Sequence, residues 1–318
     1  MRIVAFDVRP DERAEFERQA ARAEVSELVC HEGTLSVESA DLVRGFDAAL
    51  VLGLVRYDEA LLAELAARDL RVLVTRTIGT DHIDLDAAKR LGVRVSSTSY
   101  APDSVADFTL MLMLVAVRKY KPMVYLQNVN DFSLSGLMGR TLASLTVGIV
   151  GTGRIGRAVA RRLVGFGATV LAYDLHESEE MRGLGTYVPL DELYRRSDVI
   201  TFHVPATPES ERMVRDETLA QMRDGVVLVN TARAGLMDVG TLVSGIESGK
   251  IGALAMYVFA GEDRIYHEAH GLGIISNRDM AYLRQFPNTV LTQHVAFYTQ
   301  EAVNEMVAHA VDAALRLA

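Results

Sequence analysis

The stretch "TVGIVGTGRIGRAVARRL", residues 146–163, decides the fold. An apolar run ends at Gly151, and Gly151, Gly153 and Gly156 then stand in the spacing G-x-G-x-x-G. Each glycine answers a separate demand. Gly151 allows a tight turn, Gly153 allows a pyrophosphate to approach the backbone, and Gly156 lets the following helix pack closely. The start of that helix offers unpaired N–H groups and the positive end of its dipole. Three glycines alone are a weak signal. Here a strand precedes them, a helix follows, and "TVLAYD" (169–174) closes a βαβ unit on Asp174.

Working outward, strand-like segments continue with "DVITFHVP" (198–205), "GVVLVNTA" (225–232), "IGALAMYVF" (251–259) and "NTVLTQH" (288–294). With 145–151 and 169–174 they give six strands, a full doubly wound sheet. About 145 residues come first, and they carry a second series. "RIVAFDV" (2–8), "ELVCHE" (27–32), "DAALVLG" (47–53), "RVLVTRTIG" (71–79) and "VRVSSTS" (93–99) read as buried strands. Helical stretches at 11–23 and 58–69 lie between some of them. The alternation predicts an α/β protein with two parallel sheets. A long helix is expected from about Pro102 to Tyr120, and a last one over the C-terminal 20 residues.

A chain of 318 residues fits two domains. Its net charge of −9 argues against nucleic acid or an anionic membrane as partner. Cys30 is the only cysteine, so no internal disulfide forms, and a reducing, cytoplasmic setting is expected. "MRIVAFDV" reads as a first strand rather than a signal peptide. "FTLMLMLVAV" (108–117) is too short to span a bilayer and reads as a buried helix. No His, Cys or acidic cluster has metal-ligand spacing, so no metal is expected.

Four further positions carry possible chemistry. Asp174, at a strand end, suits the adenosine ribose hydroxyls and repels a 2′-phosphate, favouring NAD over NADP. Arg233 follows the strand 225–232, where an arginine can grip a carboxylate with two parallel bonds. His294 ends the last strand and can exchange a proton near neutral pH. Glu262 can pair with it and orient it. His203 stands near the expected nicotinamide side and either meets the cofactor or only shapes its loop. His31, His176 and His309 read as surface residues.

Together, "TRTIGTDHIDLDAAKRLGV" (75–93), "YAPDSVADFTLMLML" (100–114), "VGIVGTGRIG" (147–156), "NTARAGLMD" (230–238) and "PNTVLTQHVAFYT" (287–299) resemble the D-isomer-specific 2-hydroxyacid dehydrogenase family. The resemblance covers nearly the whole chain. It is greatest to the branch of D-lactate dehydrogenases and VanH-type enzymes. It implies a flavodoxin-like substrate domain at 1–100 and 299–318, and a Rossmann NAD-binding domain at 101–298. The mid-chain glycine turn follows from that order. The active site is then expected in the interdomain cleft, and the enzyme as a homodimer. The substrate is a small 2-keto or 2-hydroxy acid.

The resemblance also implies roles. Arg233 would bind the substrate carboxylate and polarise the keto group, His294 would donate the proton, and Glu262 would be its partner. The N–H groups of Ile78 and Gly79 would help hold the carboxylate, with Tyr100, Tyr298 and Leu52 near the substrate. Gly151, Gly153, Arg154, Ile155, Gly156, Asp174, His203, Val204, Pro205, Thr231, Ala232 and Tyr257 would line the cofactor. Four positions depart from the family pattern: Tyr257 stands where an Asp is usual, Ala260 for Glu, Ala234 for Gly, and Gln293 for Pro. Arg233, Glu262 and His294 favour NAD-dependent reduction of a 2-keto acid to a D-2-hydroxy acid. Tyr257 keeps a second reading open, a cofactor-binding regulatory or scaffold protein with little turnover.

Overall fold

The computed structural model describes residues 1–262, 265–266 and 269–317. It separates into two compact units, Met1–Ala101 with Tyr298–Ala318, and Pro102–Phe297. Ala101 and Tyr298 therefore fall in the first unit. The reason is local: the Ala101 N–H donates to Glu305 at 2.5 Å, and the Tyr298 ring lies under the Arg9 guanidinium.

The first unit holds strands β1 (Arg2–Ala5), β2 (Glu27–Cys30), β3 (Ala48–Val51), β4 (Val72–Thr75) and β5 (Arg94–Ser97). All pair in parallel, in the order β2-β1-β3-β4-β5. This is the flavodoxin-like order, which reverses between β1 and β3. Both faces are apolar, as a parallel sheet covered on two sides requires. Val4, Ala49, Val51 and Leu73 meet Leu61, Leu62 and Leu65 of the helix Glu59–Ala66. Ile3, Ala5, Leu50 and Val74 meet Val307, Ala310, Val311 and Ala314. Those last four lie on one face of the helix Gln300–Leu317, spaced by three and four residues. The C-terminal segment thus returns to the first sheet.

The second unit holds β6 (Thr146–Val150), β7 (Thr169–Tyr173), β8 (Thr186–Tyr187), β9 (Val199–Phe202), β10 (Val226–Asn230), β11 (Ile251–Met256) and β12 (Thr289–Leu291). The parallel order is β12-β11-β10-β9-β6-β7-β8, the doubly wound Rossmann arrangement with one extra strand. Six strands were expected here. The additional β8 is only two residues long, too short to leave a periodic trace. The order reverses at β6 and β9, so the loops after those strands open at the point where such sheets bind ligands.

The helix expected from about Pro102 to Tyr120 is present, and a second helix that was not expected follows it. Asp103–Val117 is one helix and Tyr120–Asn128 another, with Lys119 between them in the left-handed region at φ 54°. Pro122 stands in the first turn of the second helix, where a proline is tolerated. Among the described residues, no helix is long and apolar enough to cross a membrane, and no group of three His, Cys, Asp or Glu can hold a metal.

Candidate active site

The glycine turn joins β6 to the helix Arg154–Gly165. Gly151 has φ 97°, and a Cβ there would lie 2.7 Å from the His203 carbonyl group. A Cβ on Gly156 would lie 2.0 Å from the Gly151 oxygen, so only glycine lets the helix start this close to the turn. A Cβ on Gly153 would meet nothing within 4 Å. The turn is therefore sealed beneath and open at the helix N-terminus, where Arg154 and Ile155 begin the first turn. A pyrophosphate fits that opening, which the first turn of the helix faces with its backbone N–H groups and the positive end of its dipole.

Asp174 fastens the same turn. Its carboxylate accepts from the Thr152 N–H at 2.6 Å, the Thr152 hydroxyl at 3.1 Å and the His176 N–H at 3.0 Å. Burial works to raise its pKa, but these donors outweigh burial and hold the carboxyl below its ordinary range. The group is an anion at neutral pH, as an acceptor for ribose hydroxyls must be. Its contribution to folding is present above the unfolded value and fades as pH falls through the folded one. The Tyr187 hydroxyl completes the cluster, 2.7 Å from Thr152. Thr152 and Tyr187 were not singled out in the sequence.

After β9 come His203, Val204 and Pro205, and Val204 also lies against the Gly151 position. His203 Nε2 is 3.0 Å from the Thr201 hydroxyl, while its buried Nδ1 has no partner among the described residues. Burial pushes its pKa down to about 3, so the ring is neutral and is no proton donor near pH 7.

After β10, the Asn230 side chain accepts from the Ala232 N–H at 3.0 Å and donates to the Arg233 carbonyl at 2.9 Å. That clamp fixes the 230–233 bend. Thr231 is buried, and its hydroxyl meets Thr109 of the helix Asp103–Val117 at 2.7 Å. Arg233 donates through Nη1 to the Ala232 carbonyl at 2.9 Å.

Glu262 and His294 meet, although 32 residues separate them. His294 Nδ1 is 2.8 Å from Glu262 Oε1. The other carboxylate oxygen, Oε2, accepts the Phe259 N–H. The carboxylate is thus held on the chain leaving β11, and it fixes the imidazole that follows β12. Tyr257 is buried at 6% exposure, with its ring edge-to-face on His294 at 4.4 Å and on Phe108 at 6.1 Å. An aromatic ring thus packs against the imidazole where the family usually places an acid.

In the first unit, Leu52 follows β3 and is buried, and Tyr100 is buried at 9% exposure. Ile78 is exposed and Gly79 half-buried in the loop after β4. Among the described residues, neither the Ile78 nor the Gly79 N–H donates to any acceptor. Tyr298 is half exposed, 5.4 Å under the Arg9 guanidinium, and its hydroxyl bonds Asp11. Arg9 in turn pairs with Asp11 at 3.1 Å. Beneath lies Arg76, wholly buried, paired with the wholly buried Glu12 at 3.0 Å and donating to the Asp7 carbonyl at 3.0 Å. Arg9, Asp11, Glu12 and Arg76 were not anticipated. Their partners lie up to 289 positions away in the chain, and no local pattern reports such pairing.

Residues 110–296 match the family model for the D-isomer-specific 2-hydroxyacid dehydrogenase NAD-binding domain. The chain belongs to the D-isomer-specific 2-hydroxyacid dehydrogenase family. It is an NAD-dependent dehydrogenase, and the glycine turn with Asp174 is the part of this fold that suits NAD. The dehydrogenase is 37% identical to an aromatic 2-oxoacid reductase of Clostridium sporogenes over 314 residues, 96% of this chain and 93% of that one. It is 41% identical over 248 residues to a D-specific alpha-keto acid dehydrogenase of Enterococcus faecium, covering 78% of this chain and 76% of the relative. Among solved structures it resembles a D-lactate dehydrogenase of Treponema pallidum, with a TM-score of 0.89 and 32% identity over 98% of this chain and 95% of the other.

Proposed function

We propose that this dehydrogenase reduces 2-keto acids with apolar side chains, pyruvate and larger or aromatic ones, to the D-2-hydroxy acids. The observation that carries the reading is the His294–Glu262 pair at 2.8 Å. With Nδ1 bonded to Glu262, proton delivery to the substrate is assigned to Nε2. As imidazolium, His294 donates Nδ1–H to Glu262 and delivers the Nε2 proton to the keto oxygen; the neutral ring left behind keeps the Nδ1–H bond. Bound reduced nicotinamide supplies the hydride that adds to C2. Arg233 grips the carboxylate and stabilises the charge growing on the keto oxygen. The undonated N–H groups of Ile78 and Gly79 donate to the oxygens of the same carboxylate. Leu52, Tyr100 and Tyr298 offer apolar and aromatic surface to the side chain. Arg9 is neutralised by Asp11, which disfavours a second substrate carboxylate there.

The test follows NADH absorbance with pyruvate, 4-methyl-2-oxopentanoate, phenylpyruvate and oxaloacetate. The expected order places the apolar acids ahead of oxaloacetate, with D product by chiral analysis. Mainly L product, or preference for oxaloacetate, contradicts the proposal. NADH binding with no turnover across the panel makes the protein a cofactor-binding scaffold instead.

We also propose a homodimer. The helix Tyr120–Asn128 has no buried residue, and Val129, Phe132, Leu134 and Met138 beyond it are 70–88% exposed. So much apolar surface on one segment marks an interaction site. Replacing Phe132 and Leu134 together by Glu is expected to give monomers in light scattering; an unchanged dimer overturns this assignment. The free Cys30 fits a reducing compartment, and a cytoplasmic location is proposed, to be checked by fractionation.

A further inference from the structure

One polar chain in the first unit is used by none of the roles above. Thr75 ends β4 and is wholly buried; Thr77, Gly79 and His82 follow in the loop. The Thr77 hydroxyl donates to the Gly79 carbonyl at 2.6 Å. The Thr75 and Thr77 hydroxyls are 2.8 Å apart, and His82 Nε2 is 3.0 Å from the Thr75 hydroxyl. The direction of this chain is fixed by its end. A carbonyl only accepts, so the single Thr77 proton goes to Gly79. Thr77 must then accept from Thr75, and Thr75, its own proton used, must accept from His82. His82 therefore carries its proton on Nε2. The His82 backbone is pinned as well, since its carbonyl accepts the Tyr57 N–H at 2.7 Å, and the Tyr57 ring stands edge-to-face on the imidazole.

We propose that His82 is a positioning residue for keto-acid binding, holding the Ile78–Gly79 loop through a one-way chain of hydrogen bonds across Thr75 and Thr77. The proposal rests on the assignment of that loop to the substrate carboxylate. The chain locks the Gly79 carbonyl, and with it the loop geometry in which the two undonated N–H groups are presented. The Leu52–Gly53 turn touches the same ring: a Cβ on Gly53 would lie 3.2 Å from His82 Nδ1. The imidazole thus spans the loop that binds the carboxylate and the turn expected to meet the substrate side chain.

The test compares Thr75→Val, Thr77→Val and His82→Leu with Thr75→Ser, Thr77→Ser and His82→Gln. The first three remove a link at similar bulk. The last three keep a hydroxyl, or a donor near the Nε2 position. For each, KM and kcat with phenylpyruvate are measured, with the NADH dissociation constant and that of oxamate, an unreactive carboxylate analogue, in the presence of NADH. Loss of one net hydrogen bond is expected to raise KM and weaken oxamate about five- to tenfold. Little change is expected in kcat or NADH affinity, because the interaction serves ground and transition states alike. The conservative variants are expected to restore binding. Wild-type oxamate affinity in Thr77→Val and His82→Leu overturns the proposal, as do Ser variants no better than Val, which would mean packing alone. If Thr75→Val fails to fold, the half-buried links Thr77 and His82 decide. If wild type binds oxamate but turns over no keto acid, the functional reading fails while the oxamate arm still judges this one. No oxamate binding by wild type overturns it.

Discussion

His294→Ala is expected to lower kcat for keto-acid reduction about 10²–10⁴-fold, the usual worth of a positioned proton donor, with NADH still bound. The imidazole stands after β12, outside the glycine turn, so its removal leaves the cofactor cradle intact. His203, after β9, is held neutral by burial. Glu262→Gln is expected to cost less than His294→Ala but to act on the same step. The amide oxygen can still accept from Nδ1, but the hydrogen bond that orients the ring is no longer made to a charged group. The double variant should then lose little more than His294→Ala alone, since two groups acting as a unit are not additive. Steady-state kinetics with phenylpyruvate, alongside NADH titration, check all three. Near-wild-type turnover in His294→Ala removes it from the chemistry.

How far this site was legible depends on what each residue does to the chain nearby. Gly151 and Gly156 were legible because a positive φ and a 2.0 Å approach exclude every other residue, leaving a mark at fixed spacing. Arg233 and His294 were legible because each follows an apolar strand. The second duty of Asp174 was not. A strand-end acid looks the same whether it awaits a ribose or already holds the Thr152 N–H. The packing of Tyr257 on His294 was also hidden, although its departure from the family pattern was visible: one residue leaves β11, the other β12, and only strand pairing brings them together. The additional helix Tyr120–Asn128 was not expected, because the left-handed backbone of Lys119 that separates it from Asp103–Val117 leaves no mark in a lysine. The Arg9, Asp11 and Tyr298 group was hidden for the same reason as the Tyr257 contact, across a far longer span of chain.

Arg76→Met is expected to destabilise the first unit by about 3 kcal/mol, the lower end of what breaking a buried ion pair costs, because Arg9 still stands 3.6 Å from Glu12. Both Arg76 and Glu12 are wholly buried, the guanidinium also serves the Asp7 carbonyl, and it lies 5.3 Å over the Phe16 ring. One substitution therefore removes the nearer cationic partner of Glu12, leaving Arg9 at 3.6 Å, and frees a buried carbonyl together. Against a total folding stability of about 5–15 kcal/mol, that loss lowers the melting temperature by many degrees. Adding Glu12→Gln should recover part of it, because the remaining side chain no longer demands a counter-charge. The pH dependence has a definite sign. Burial raises the Asp7 carboxyl, opposed first by the Thr34 hydroxyl and then by the positive charge of Arg76. A carboxyl raised by folding contributes stability that is present below its unfolded value and lost as pH rises through the folded one. Without Arg76 the Asp7 value moves higher still, so Arg76→Met should suffer more at pH 8 than at pH 5. Urea unfolding of wild type, Arg76→Met, Arg76→Lys and the double variant at those two pH values measures each of these terms. Arg76→Lys keeps the charge but loses the fork that reaches Glu12 and Asp7 at once, and should fall between wild type and Met. A deficit that is equal at both pH values would mean that Arg76 acts through packing on Phe16 rather than as the counter-charge of Glu12 and Asp7.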